Sequence, residues 1–125
     1  MKIAQLLEGF EIVESDAIPT LTLDNQRRFY LNTSARRLMD VKPYARLSLA
    51  YRSDDKSIAI LKEGAGAYIA DSATSVYSVD KRYYMSARRF CEKYGYYATQ
   101  APYHFVYERG SSDGRAFVFR LQSAE

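Results

Sequence analysis

The chain is cut into short pieces, and this limits its fold more than any other feature. Apolar and polar residues alternate over runs such as Thr20-Leu21-Thr22-Leu23 and Arg46-Leu47-Ser48-Leu49-Ala50-Tyr51-Arg52. Each run is then closed by Asp, Asn, Ser, Gly or Pro. Alternation of period two predicts half-buried strands, and the closing residues predict tight turns. The first series reads as a strand over 18–24, a turn at Asn25-Gln26-Arg27 and a strand over Arg28–Leu31. A short helix follows over Ala35–Met39, with Asn32, Thr33 and Ser34 as capping side chains and Pro43 beyond it. Strands over Arg46–Arg52 and Ser57–Lys62 then flank a hairpin turn at Ser53-Asp54-Asp55-Lys56.

The same layout returns after residue 75. Strands are expected over Val76–Val79 and Tyr83–Met85 around the turn Asp80-Lys81-Arg82. Ser86 is the expected cap of a helix over Ala87–Tyr94, which ends at Gly95. Strands over Tyr103–Glu108 and Arg115–Leu121 flank a turn at 109–114. The repeat extends to the residues themselves: Ser34-Ala35-Arg36-Arg37-Leu38 answers Ser86-Ala87-Arg88-Arg89-Phe90. The organisation predicted is an N-terminal extension (1–17), a first half (18–62), a small-residue connector (63–75) and a second half (76–125). The fold class is mainly β with short helices, each half ordered β-β-α-β-β.

Charge is distributed unevenly. Windows 25–39 and 81–91 hold Arg27, Arg28, Arg36, Arg37, Lys81, Arg82, Arg88 and Arg89 and no acid, whereas the chain as a whole carries 18 basic and 15 acidic residues. The remainder is therefore net acidic. Two concentrated basic regions on an acidic body suit a polyanion-binding face. At 125 residues and 47% apolar composition, the chain can build one modest core. It has no apolar run approaching the ~20 residues of a membrane helix, and its first residues lack the long apolar region of a secretory signal. A reducing, cytoplasmic setting is expected, at the nucleoid if the partner is DNA.

The chemistry of an enzyme is hard to find. One cysteine, Cys91, and one histidine, His104, cannot form a disulfide or close a zinc shell. Asp54-Asp55 and Asp113-Gly114 sit where turns favour aspartate. Gly64-Ala65-Gly66 is too little for a phosphate-cradling loop. No catalytic residue, metal or cofactor is expected. Tyrosine is abundant, at 12 residues, with Tyr83, Tyr84, Tyr94, Tyr96 and Tyr97 close to the second basic window. Sheet packing or a protein interface is the first reading for them, and stacking on unpaired bases the second.

The segment Arg28-Phe29-Tyr30-Leu31-Asn32-Thr33-Ser34-Ala35-Arg36-Arg37-Leu38-Met39-Asp40-Val41 resembles the AbrB-type swapped-hairpin family, which includes MazE and MraZ proteins. Arg27 stands where that family usually has glycine, and Asn32 where it has proline. The resemblance covers 19–62 and reaches 76–121 only through the internal repeat. It implies a pseudo-twofold barrel of interleaved hairpins that binds double-stranded DNA, with both arginine clusters on one face. Such a unit is complete as a monomer or pairs as a homodimer. The alternative is a protein-interaction module, antitoxin-like or an inhibitor of a host factor, whose basic face or tyrosine-rich half takes an acidic protein partner.

Overall fold

The computed structural model describes residues 3–6, 8–10, 18–62, 76–108 and 116–122. The expected connector at 63–75 and the turn at 109–114 lie outside the described residues. Of the N-terminal extension, the described residues include one helical turn, α1 (Ile3–Leu6).

Alternation decides the strands. β1 (Thr20–Leu23) buries Leu21 and Leu23, and β2 (Arg28–Leu31) buries Phe29 and Leu31. Asp24 builds the turn between them. Its Oδ1 accepts the backbone N–H groups of Gln26 and Arg28, each at 2.9 Å, while Arg27 takes the left-handed conformation at φ 57°. The same device joins β5 (Val76–Ser78) to β6 (Tyr84–Ser86). There Asp80 Oδ1 accepts from Arg82 at 2.8 Å and Tyr84 at 3.0 Å, and Tyr83 is left-handed at φ 68°. A left-handed non-glycine residue costs on the order of 1–2 kcal/mol, which the two carboxylate hydrogen bonds offset. Tyr83, expected to open the strand, is thus the last residue of the turn.

The helices differ at their starts. In α2 (Thr33–Met39), Asn32 Oδ1 accepts from the N–H of Ala35 at 2.9 Å and of Thr20 at 3.0 Å. Its Nδ2 donates to the Ile18 carbonyl. One side chain therefore caps the helix and pins the entry to β1. In α3 (Arg88–Tyr94) the capping position is Ala87, with no side-chain cap; Gly95 ends the helix at φ 75° as expected. Ser86, the expected cap, is instead the last residue of β6 and pairs with Arg28. The pairing of Phe29 with Met85, both buried, sets this register, and burial of those two outweighs the roughly 1 kcal/mol of a cap.

The remaining strands are β3 (Arg46–Arg52), β4 (Ser57–Lys62), β7 (Tyr103–Tyr107) and β8 (Ala116–Leu121). All eight form one antiparallel sheet in the order β5-β3-β4-β8-β7-β1-β2-β6. The two end strands, β5 and β6, belong to one tight hairpin, in which the Asp80 N–H donates to the Tyr84 carbonyl at 3.0 Å. The sheet is consequently a nearly closed barrel.

Its order is unchanged when the two halves are exchanged. β1 lies against β7 and β5 against β3, with Thr20 opposite Val106 and Val76 opposite Ser48. Phe29 opposite Met85 and Ala59 opposite Val118 mark where the exchange axis crosses the sheet. Leu31 donates to the Tyr83 carbonyl, and its counterpart Ala87 donates to that of Arg27. Both halves supply one core, which includes Leu21, Phe29, Ile58, Met85, Phe105 and Phe119. Each large apolar side chain fully buried there contributes about 1.5–3 kcal/mol. α3 adds an aromatic cluster: Phe90 packs 5.1 Å from Phe29 and 5.0 Å from Tyr96. The Tyr51 and Tyr96 hydroxyls meet at 2.7 Å, and burial pushes the Tyr96 phenol well above its ordinary pKa.

Candidate nucleic-acid interface

Because Phe29 and Met85 point inward, their neighbours on β2 and β6 point outward, and the seam between the halves carries a ladder of cations and rings. Asp24 Oδ2 accepts from Arg28 Nε at 3.0 Å and Nη2 at 2.9 Å. The Arg28 guanidinium lies 4.2 Å over the Tyr84 ring, whose centroid is 4.8 Å from that of Tyr30. Arg36 Nη2 donates to the Tyr30 hydroxyl at 3.0 Å and to Thr33 Oγ1 at 3.2 Å, and its Nε donates to the Leu31 carbonyl at 3.1 Å. Its guanidinium sits 3.9 Å over Tyr83. Arg28 and Arg36 are therefore held in place and half-buried, and they fix the shape of the surface.

The other six predicted residues differ from these two. Arg27, Arg37, Lys81, Arg82, Arg88 and Arg89 are exposed and form no ion pair among the described residues. The fold gathers some of them. Arg27, Arg28 and Arg88 surround one concavity with Gln26, Tyr84 and Ser86. Arg88 and Arg89 line the next, with Tyr77 and Ser78. Lys81 and Arg82 sit on the β5–β6 turn, beside an Asp80 whose carboxyl is held below the usual range, first by the hydrogen bond from the Tyr84 backbone. Arg37 lies on α2, outside both concavities.

The two arginine pairs do not occupy equivalent places. Arg36 and Arg37 are in the last turn of α2, whereas Arg88 and Arg89 open α3. Val41 donates to the Arg36 carbonyl where Tyr96 donates to that of Cys91, so the structural counterpart of Arg36 is Cys91. The four-residue echo in sequence is out of step with the repeat in space, because the chain passes more directly from β6 into its helix than from β2.

Two residues of this region were missed by sequence reasoning. Lys93 follows Arg89 by four positions, so both fall on one helix face, and Tyr77 flanks Val76 on β5; both border a crevice with Arg89 and Tyr94. The helical spacing of Arg89 and Lys93 was the available signal. Elsewhere, His104 Nδ1 lies 3.1 Å from Thr22 Oγ1 in a cross-strand pair, and buried Cys91 has its thiol pKa raised by desolvation. Asp55 is ion-paired with Arg52 at 2.6 Å, which holds its carboxyl well below the usual range. No group of three metal-ligating side chains occurs among the described residues, and no helix of theirs is long and apolar enough to cross a membrane. The chain matches no family model, no curated protein and no solved structure.

Proposed function

We propose that the barrel is an AbrB-like swapped-hairpin unit completed within one chain, and that it binds duplex DNA as a transcription regulator. The insertion of each half's hairpin between strands of the other half supports the first part. One observation carries the second: exposed Arg27, Arg88 and Arg89, without an ion pair among the described residues, stand with Arg28 around the outer face where the halves meet. Guanidinium groups give bidentate bonds to phosphates and to guanine edges, and phosphate contacts supply most of the affinity. Arg28 and Arg36, fixed on tyrosine rings, hold the surface on which the others work.

The test is fluorescence anisotropy with a random-sequence duplex at several salt concentrations. Neutralising six phosphates gives a log–log salt slope of about −5. The variant Arg27→Ala/Arg88→Ala/Arg89→Ala should bind far more weakly, its slope shallower by roughly one per arginine removed. A wild type that does not bind at low salt, or a folded variant that binds as well as wild type, rejects the reading.

A further inference from the structure

The basic concavities adjoin one another and are taken together as one furrow. The concavity around Arg27 and Arg28 shares Ser86 and Arg88 with the next, which shares Tyr77 and Arg89 with a third. The furrow runs from the β1–β2 turn to the outer side of α3. Arg27, Arg28, Arg88, Arg89 and Lys93 line it in that order, and Asp80 is the one acid among its described lining residues.

Its far end is different in kind. There the surface opens into a crevice of about 180 Å³ with Leu49 and Ile58 among its lining. Tyr51, Tyr77 and Tyr94 wall it, and Arg89 and Lys93 stand with them. Tyr94 is 38% exposed, with its ring centroid 4.3 Å from that of Tyr51 and 5.4 Å from Lys93 Nζ. A base reaches such an aromatic wall when it is unpaired and out of the stack.

The described residues of the first half do not repeat this lining. The counterparts of Arg88 and Arg89 at the start of α2 are Thr33 and Ser34, and those of Lys93 and Tyr94 are Leu38 and Met39. Among the described residues this lining is therefore not repeated by the pseudo-twofold.

We infer that this furrow binds an unpaired nucleic-acid strand, one base seated in the crevice against Tyr94 and the flanking phosphates lying along Arg89, Arg88 and Arg27. This rests on the nucleic-acid reading above and specifies the form of its ligand. Ring stacking supplies the contact to the base, and cations along a groove supply the contact to the backbone.

The probe is a labelled oligothymidylate, measured beside a random duplex and an abasic oligonucleotide of the same length. Wild type should prefer oligothymidylate over the abasic strand by about tenfold. Tyr94→Ala should lose about tenfold in oligothymidylate affinity, and Tyr94→Phe, which keeps the ring, should not. The abasic comparison needs no variant, so it stands even if Tyr94→Ala fails to fold. Binding of the duplex alone, or equal affinity for the abasic strand, overturns the seat and leaves the duplex reading intact. Binding of oligothymidylate with base preference but not of duplex upholds the seat and overturns the duplex reading. Binding of none of the three overturns both.

Discussion

α2 and α3 occupy the same position in the two halves, but Arg36 of α2 is held in the structure while Arg88 and Arg89 of α3 are exposed. In α2, Arg36 is taken up by the Leu31 carbonyl, the Tyr30 hydroxyl, Thr33 and the Tyr83 ring, and Asn32 fastens the helix start. In α3 the start carries no side-chain cap, Arg88 and Arg89 are exposed, and the underside is aromatic through Phe90. The first helix holds the seam through Arg36 and exposes Arg37. The second leaves both of its arginines exposed. A shared layout fixes where such residues stand and leaves open whether they serve structure or recognition.

The seam itself gives the largest expected effect. Phe29→Ala empties a fully buried site opposite Met85 and should cost about 3–5 kcal/mol by denaturant titration. The loss should come in a single cooperative transition, because both halves contribute to one core. Two separated transitions would show that the halves fold as independent units, and the comparison between them would need restating.

Arg36→Ala sharpens the contrast between the helices. It removes hydrogen bonds and a ring contact and should cost about 1–3 kcal/mol, while Arg89→Ala should stay within about 0.5 kcal/mol. Equal effects on the unfolding midpoint would break the distinction. Asn32→Ala should cost about 1–2 kcal/mol, since it removes a cap and the tie to Thr20 together. No single substitution at Ala87 should cost stability through a lost cap, because no side chain caps there.

The smallest effect concerns the turns. The Asp80 carboxyl has a folded-state pKa below its unfolded value of about 3.9. Its stabilisation is thus fully present above about pH 4 and is lost as pH falls through the folded value. The difference in melting temperature between wild type and Asp80→Ala should therefore be constant from pH 5 to 7 and shrink on further acidification. A difference that grows toward low pH contradicts the assignment of Asp80 as the turn's acceptor.

Much of the fold was legible because it depends on neighbours in sequence. Alternation at Leu21 and Leu23, the turn at 53–56 and the stop at Gly95 are local effects of one or a few residues, and they stand where expected; of the three capping candidates Asn32 is the cap, and α2 begins at Thr33 rather than Ala35. The relation between the halves was less legible. The expected match of Arg36-Arg37 with Arg88-Arg89 assumed that sequence echo and spatial equivalence coincide, but register was set by burial of Phe29 against Met85. The commitment of Arg28 to Asp24 lay one residue outside the acid-free window that drew attention to it. The capture of Arg36 by Tyr83 joins residues 47 positions apart in the chain, and no local pattern reports it. The furrow likewise exists only once β5, β6 and α3 are side by side.

Every strand of the first half has a partner in the second: β1 with β7, β2 with β6, β3 with β5 and β4 with β8. This bears on the chain while it is being made. A ribosome adds roughly 5–20 residues per second, so the first half waits several seconds with four strand edges unmet and Leu21, Leu23, Phe29 and Leu31 without their cover. The nascent protein is most exposed to edge-to-edge aggregation in that interval. Its safe synthesis depends on the rate at which the second half arrives rather than on the stability of the finished barrel.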